Sequence, residues 1–430
     1  MVEDNSTDLF VIGPDALNLQ KLEVIEAEYP VRLEPLLTME EITSHEDFNV
    51  KAVLDKAERV LRNHPRPVGG VIGFWDFPVS LMVPILASRL GLYAPSLEAV
   101  VGCEHKYLGR ILQREVAPEH VPDFQSLDPF DDKALDDIRV EYPFWIKPVK
   151  SFSSHLGFRV GNRNDLERAV SEIRSGIGEI GNAFSDFMDY VDLPESIRQV
   201  DGNHCVIEAL IGGRQCTLEG FARNGEVNIY GIVDSFRFPN GSTFSRYQYP
   251  STLPRRIRQQ MIDIATRVIN HIGLDHSAFN MEFFWDKARD KVWILEINPR
   301  ISQSHGDVFE KVDGTPHHRI IMDLGLGRQP EWSRGKGEFA CAAKVFLRRF
   351  EHGTATRVPT RAEIDEVERQ FPGTIVNVLV TEGMELSELD PQDQDSYSYA
   401  YAILFVGASG GRRLRERIKA IGSMLPFEFR

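Results

Sequence analysis

Between Asn280 and His305 the chain reads NMEFFWDKARDKVWILEINPRISQSH, a run in which acids and amides recur at strand spacing. Side chains alternate faces along an extended strand, so Asn280, Glu282 and Phe284 share one side. Val292, Ile294, Glu296 and Asn298 share a side of a second strand, with DKARD as the turn between. Pairing even residues with even residues brings Glu282 to the face of Glu296 and Asn298. Met281, Phe283, Trp285, Trp293, Leu295 and Ile297 then form the core side. Two acids and an amide on one face of such apolar strands are costly unless something neutralises them. Oxygen donors of this kind suit a hard cation, and Mg²⁺ is usually shared with substrate phosphates. Arg300 adds a positive charge at the same end. A solvated sheet face is the plain alternative, and calcium fits less well because no EF-hand spacing occurs.

A metal–phosphate site also needs cations and a loop that closes over the phosphates. Lys147 ends the apolar strand PFWIKPVK, and SFSSHLG follows at once, offering Ser151, Ser153, Ser154 and Gly157. No Walker A pattern is present. Lys106, in HKYLGR, is a second candidate cation. Glu208 lies inside the apolar strand CVIEALIGG and could accept a hydrogen bond from an adenine amino group, with neighbouring backbone reading the ring edge. An edge-strand Glu facing water is the alternative.

The elements that must hold these residues are legible in outline. Leu9–Gly13 and Val68–Trp75 read as strands with a helix, Val50–Arg62, between them, which is an α/β unit with a parallel sheet. The glycines at 69, 70 and 73 do not form GxGxxG and read as part of a buried strand and its turn. Ser175–Asp192 mixes Gly, Ser, acids and aromatics and reads as a loop or insertion. Strands are expected at Cys205–Ile211, Cys216–Ala222 and Val227–Val233. Ile257, Met261, Ala265, Val268 and Ile272 recur at helical spacing, so Arg255–Ile272 is an amphipathic helix ending at Gly273. Further strands are expected at Ala342–Phe346, Ile375–Thr381 and Tyr399–Val406, then a basic helix at Arg412–Ile421.

Taken in order, these pieces resemble the ATP-grasp superfamily, from about Tyr107 to Leu326. The carrying motifs are Lys106, Lys147 with its small-residue loop, Glu208 in EALIGG, and the NxE strand followed by EINPR. Within the superfamily the chain looks most like carboxylate–amine ligases of the bacterial L-amino-acid (dipeptide) ligase kind. EALIGGRQCTLEG keeps Glu208, Gly213, Glu219 and Gly220 of the hinge pattern but has Gln215 where a second Glu is usual. Biotin carboxylase is the nearest rival. EINPRISQSH shares Glu296, Asn298, Arg300, Ile301 and His305 with its motif, but Ser304 stands where that family has its bicarbonate base.

The resemblance implies an α/β (α+β) ATP-grasp fold. Residues 1–105 would be a Rossmann-like pre-ATP-grasp domain, 106–205 the central subdomain with the phosphate loop, and 206–337 the subdomain with hinge and metal hairpin. Residues 338–430 would be a C-terminal α+β domain. It further implies that ATP and a carboxylic acid give an acyl phosphate, which an amine converts to an amide. Lys106 and Lys147 would hold phosphates, with Ser151, Ser153, Ser154 and Gly157 in the covering loop. Glu208, Ala209 and Leu210 would read adenine. Glu282, Glu296 and Asn298 would bind one or two Mg²⁺, with Mn²⁺ able to substitute. Arg300, with Lys147, would be catalytic. Glu219, Arg300, Ser302, Gln303, Ser304 and His305 would meet the substrates, with amino acids first among the acids and amines. A nucleotide-binding protein without turnover is the non-enzymatic alternative.

Composition agrees with this frame. The 430 residues are too many for one ordinary core, and 42% hydrophobic with 26% charged residues describes a globular protein. A net charge of -15 argues against a general nucleic-acid partner. Cys103, Cys205, Cys216 and Cys341 form no CxxC pair, which favours a reducing compartment. MVEDNSTD lacks the features of a signal peptide, and the apolar stretch Pro78–Pro95 is broken by Pro84 and Arg89. The expectation is a cytoplasmic protein with small-molecule partners, no membrane or nucleic acid, and room for a homodimer.

Overall fold

The computed structural model describes residues 7–43, 48–151, 155–241, 243–390, 393–395 and 398–430. Strands Val31–Leu36, Thr7–Ile12 and Val68–Ile72 form a parallel sheet in that order, with helices Ala16–Glu26, Val50–Arg62 and Val79–Leu90 around it. This is the expected N-terminal α/β unit. Gly70 has a packing role. A Cβ there would collide with the carbonyl oxygen of Gly325, at the end of helix His318–Gly325. The missing side chain lets that helix lie against the sheet.

Four antiparallel strands follow in the order Phe124–Leu127, Cys205–Ala209, Phe144–Pro148 and Phe158–Val160. Residues 175–192, expected as a loop, are largely helical. Helix Arg163–Gly176 runs to Gly176, and a second helix spans Gly178–Met188. Ile180, Ala183, Phe184 and Phe187 are buried along its inner face, at a spacing that Gly176, Gly178 and Gly181 obscure in the sequence. Gly181 is needed there, because a Cβ would meet the carbonyl of Gly202 at 2.5 Å.

Among the described residues the largest sheet has nine strands. Its path runs Lys291–Asn298, Ser277–Asp286, Arg214–Arg223, Glu226–Arg237, Phe244–Tyr249, Cys341–Arg349, Ser398–Ala408 and Thr374–Val378, with Gln394–Asp395 paired to the side. Phe244–Tyr249 pairs antiparallel with Cys341–Arg349, so the sheet passes without interruption from the 206–337 span into the 338–430 span. Helix Arg255–Ile272 ends at Gly273 in the left-handed conformation, as its periodicity predicts, and buries Ile257, Met261, Ala265 and Val268. The basic C-terminal helix is Gly411–Met424. Among the described residues no helix is long and apolar enough to cross a membrane.

Gly70→Ala is expected to destabilise the fold by about 1–3 kcal/mol, since backbone rather than a flexible side chain must yield. Gly422 lies inside the last helix, and a Cβ placed on it would have nothing within 4 Å. Gly422→Ala should therefore stabilise by about 0.5–1 kcal/mol. Denaturant midpoints for the two variants, measured side by side, check both the close approach and the open helix face.

Candidate functional site

The acid-bearing hairpin pairs Asn280 with Asn298, Met281 with Ile297, and Glu282 with Glu296, which is the even-with-even register. The register then shifts, and Phe283 pairs with Ile294, leaving Leu295 as a bulged residue. This bulge corrects the expected core face. Val292, Ile294 and Ile297 are buried with Met281, Phe283 and Trp285, whereas Trp293 and Leu295 are only partly covered. The carbonyls of Ile294 and Leu295 both accept from Arg110, at 3.0 and 2.8 Å.

Burial, followed by repulsion from Glu296, pushes the Glu282 carboxyl up to about 7. Gln215 donates to Glu282 at 2.6 Å, and its own amide oxygen accepts from Arg237 at 2.5 Å. The position that departs from the usual hinge pattern thus links an acid to an Arg. Asn298 donates to the Asn280 side chain at 3.0 Å, and Asn280 donates to the carbonyl of Arg300 at 3.1 Å.

Opposite the acids stand several cations. Lys106 begins helix Lys106–Val116, whose N-terminal N–H of Leu108 is capped by the His105 ring. Its ammonium donates to the carbonyl of Ser151 at 2.7 Å. Burial, and then the neighbouring Lys150, bring Lys106 down to about 8, while Glu296 pulls the other way. Lys147 is 2.9 Å from Glu208, and Arg110 reaches the other oxygen of the same carboxylate at 2.5 Å. Burial opposes the Glu208 charge, but Arg110 and Lys147 outweigh it and hold the carboxyl at about 2.

A second ion cluster joins the N-terminal unit to the hairpin. Asp76, just beyond strand Val68–Ile72, accepts from Lys150 at 2.8 Å and from Arg300 at 2.7 Å. Lys150 also pairs with Glu104. Despite burial, Lys150 and Arg300 keep Asp76 well below the ordinary carboxylate range.

Behind Arg300, Glu219 is fully buried and bonded to the His305 ring at 2.7 Å. Burial raises Glu219 well above its usual range; Arg300 and the Ser302 N–H offset this only in part. Burial, then Lys344, then Arg300 lower His305 to about 3. Tyr230 closes the group, with its hydroxyl 3.4 Å from Glu219 and 3.2 Å from His317.

The structure therefore gathers Lys106, Lys147, Ser151 and Glu208 on one side of the site, and Glu282, Glu296, Asn298 and Arg300 on the other. Gly157 is partly covered; Ser153 and Ser154 lie outside the described residues. The N–H of Ala209 already donates to the Asp123 carbonyl at 2.8 Å, and Leu210 is exposed. Gln303 turns to the N-terminal unit, accepting from Asn18 at 2.7 Å and donating to the Phe74 carbonyl at 3.2 Å. Ser304 accepts from Lys344 at 3.1 Å. Sequence reasoning missed Asp76, Glu104, Arg110, Lys150 and Arg237. Two had a signal: Arg110 is one helical turn from Lys106, and Asp76 follows the carboxyl end of a parallel strand, where such sheets place ligand groups.

A model of the ATP-grasp domain matches residues 140–306. An L-amino acid ligase from Bacillus licheniformis superposes with a TM-score of 0.73 at 16% identity, covering 99% of both chains. A biotin carboxylase from Campylobacter jejuni gives 0.64 at 15% identity, over 98% of this chain and 92% of the other. At these identities the likeness is one of fold. The carbamoyl phosphate synthase large chain of Kocuria rhizophila is 37% identical over 76 residues, which is 18% of this chain and 7% of that relative. The C-terminal section of that large chain from Methanopyrus kandleri is 28% identical over 191 residues, 39% of this chain and 34% of the relative. Residues 140–306 thus match an ATP-grasp domain, and the whole chain shares the fold of these solved ATP-dependent enzymes.

Proposed function

We propose that this protein is an ADP-forming carboxylate–amine ligase that joins an acid to an amine, with amino acids as the leading substrate class. The observation that carries the reading is the register-matched Glu282–Glu296 pair, set close enough to Lys106 for Glu296 to bias its ionisation. Acids and phosphate-directed cations meet across one site, as transfer of a γ-phosphoryl group requires.

The donor set fits a hard divalent cation. Glu282 and Glu296 repel one another, and burial adds to the cost of charging Glu282, so a cation there would relieve both. Among the described residues no three His, Cys, Asp or Glu side chains cluster as a self-sufficient metal site. Glu282, Glu296 and Asn298 would hold Mg²⁺, or Mn²⁺ in its place, with phosphate oxygens and water completing the sphere. Bound there, the ion would neutralise charge on the β- and γ-phosphates.

In the first step a carboxylate oxygen of the acid attacks the γ-phosphorus, and the bond to the ADP oxygen breaks. Lys106 and Lys147 balance phosphate charge, so Lys147 must exchange part of its contact with Glu208 for the nucleotide. Arg300, already oriented by Asp76, faces the acyl phosphate and the oxyanion formed when the amine attacks. The amine attacks the acyl carbon, the C–N bond forms as the C–O bond to phosphate breaks, and the departing phosphate takes the electron pair and the proton the amine gives up. Glu219, with His305 behind it, is the acid we assign to the amino group. Residues 151–157 exclude water from the acyl phosphate.

Glu296→Gln should lower ADP release by at least about 100-fold while leaving the circular dichroism spectrum unchanged, since one charge of the metal pair is lost. Full turnover by that variant would end the metal assignment. Lys147→Ala should raise the KM for ATP about 10-fold or more and lower kcat as well. Unaltered kinetics would remove Lys147 from the site. The reading itself is tested by ADP release with Mg²⁺-ATP and pooled amino acids, followed by mass analysis for a dipeptide. Release dependent on bicarbonate and biotin instead would favour a carboxylase.

A further inference from the structure

Lys344 lies on strand Cys341–Arg349, outside the matched ATP-grasp region, yet its ammonium reaches back to the site. It donates to Ser304 Oγ at 3.1 Å. No carboxylate of the described residues comes within 4.0 Å of it; Asp307 and Asp393 act on it only from farther away. Its other neighbours are the rings of Phe346 and Phe405, with centroids at 5.3 and 5.9 Å. Lys344 thus has a hydroxyl and two aromatic faces but no anion in contact, and burial lowers it to about 8. Lysines kept for structure are ordinarily paired, as Lys150 is here with Asp76 and Glu104.

Its placement is directed. Lys344 is paired across the sheet with Tyr247, which is paired with Ser235, which is paired with Gln215 beside Glu282. The four residues therefore form one lateral row on the face that carries the acids. From the other direction, Ser304 is four residues past Arg300, a reach of at most about 14 Å. Lys344 and Arg300 both act on the His305 ring, whose partner is Glu219. A cation thus stands near the His305 ring that contacts the amine-directed acid.

We infer that Lys344 and Ser304 form a subsite for the carboxylate of the acceptor, so that the preferred amine is one bearing a free carboxylate. This rests on the ligase reading above and assigns the C-terminal span a part in substrate choice. An α-amino acid would direct its amino group to Glu219 and the acyl phosphate while its carboxylate meets Lys344. The contact adds a charge-assisted hydrogen bond that a simple amine or a carboxamide cannot make.

The test compares acceptors and variants. Wild-type enzyme is assayed for ADP release with Mg²⁺-ATP, one accepted donor acid, and either amino acids or their carboxamides as acceptor. Lys344→Met is expected to lower kcat/KM for the amino acid about 30-fold and for the carboxamide less than about 3-fold. Lys344→Arg should restore most of the preference. Equal losses with both acceptors, or none, would overturn the subsite.

A second measurement does not depend on turnover. With Mg²⁺-ADP bound, acetylation of Lys344 by an N-hydroxysuccinimide ester is followed by mass spectrometry. Pooled amino acids should slow the reaction about 5-fold, and pooled carboxamides should not. Equal rates would overturn the proposal even if the enzyme turns over. If wild type releases no ADP with any acid and amine, the ligase reading fails, and the labelling result still decides whether Lys344 binds carboxylates.

Discussion

The site depends first on one buried guanidinium. Arg110 donates to Glu208, to Gln113 and to the carbonyls of Ile294 and Leu295, so a single side chain ties a helix, the hinge strand and the hairpin. The pair it forms with Glu208 is almost wholly buried, and removing one partner of such a pair typically costs about 3–5 kcal/mol. The carbonyls it binds are those of the bulge. Because the bulge resets strand parity, Glu296 can face Glu282 while Ile294 and Val292 still reach the core. A regular strand would keep Val292 and Ile294 on the same face as Glu296. Arg110 thus supports both requirements at once: acids on the open side, apolar residues on the closed one.

Charge neutralisation extends the same logic outward. Asp76, contributed by the N-terminal unit, sits between Lys150 and Arg300, and Gln215 sits between Arg237 and Glu282. Lys150, Arg300 and Arg237 are thereby held in place by groups from different parts of the chain. Gln215 is informative in this respect. A Glu there would add a third acid beside Glu282 and Glu296, whereas the amide passes a hydrogen bond from Arg237 to Glu282 without adding charge.

Local patterns were readable where one element carries the whole signal. Helix Arg255–Ile272 and the two hairpin strands follow from periodicity, because burial on one face imposes it, and the facing of Glu282 and Glu296 follows once even residues are paired with even ones. The bulge at Leu295 was not readable, since it answers to Arg110, 185 positions earlier. Helix Gly178–Met188 was hidden by glycines whose reason is a contact with Gly202. Asp76, Glu104 and Lys150 carry no motif between them. Their meaning is a shared ion cluster, which exists only once the N-terminal sheet, the helix ending at Glu104 and the central strand are assembled.

The unbroken sheet has a consequence for how this architecture can be dismantled or recombined. Strand Cys341–Arg349 is held between Phe244–Tyr249 and Ser398–Ala408, so the 338–430 span is not a detachable module. A fragment cut at that border would expose the free edge of Cys341–Arg349, an invitation to self-association. The strands Phe124–Leu127, Phe144–Pro148, Phe158–Val160 and Cys205–Ala209 form a sheet of their own. Grafting between related proteins would therefore exchange that smaller sheet at less cost than the C-terminal end, which must travel with the strands that carry the acids.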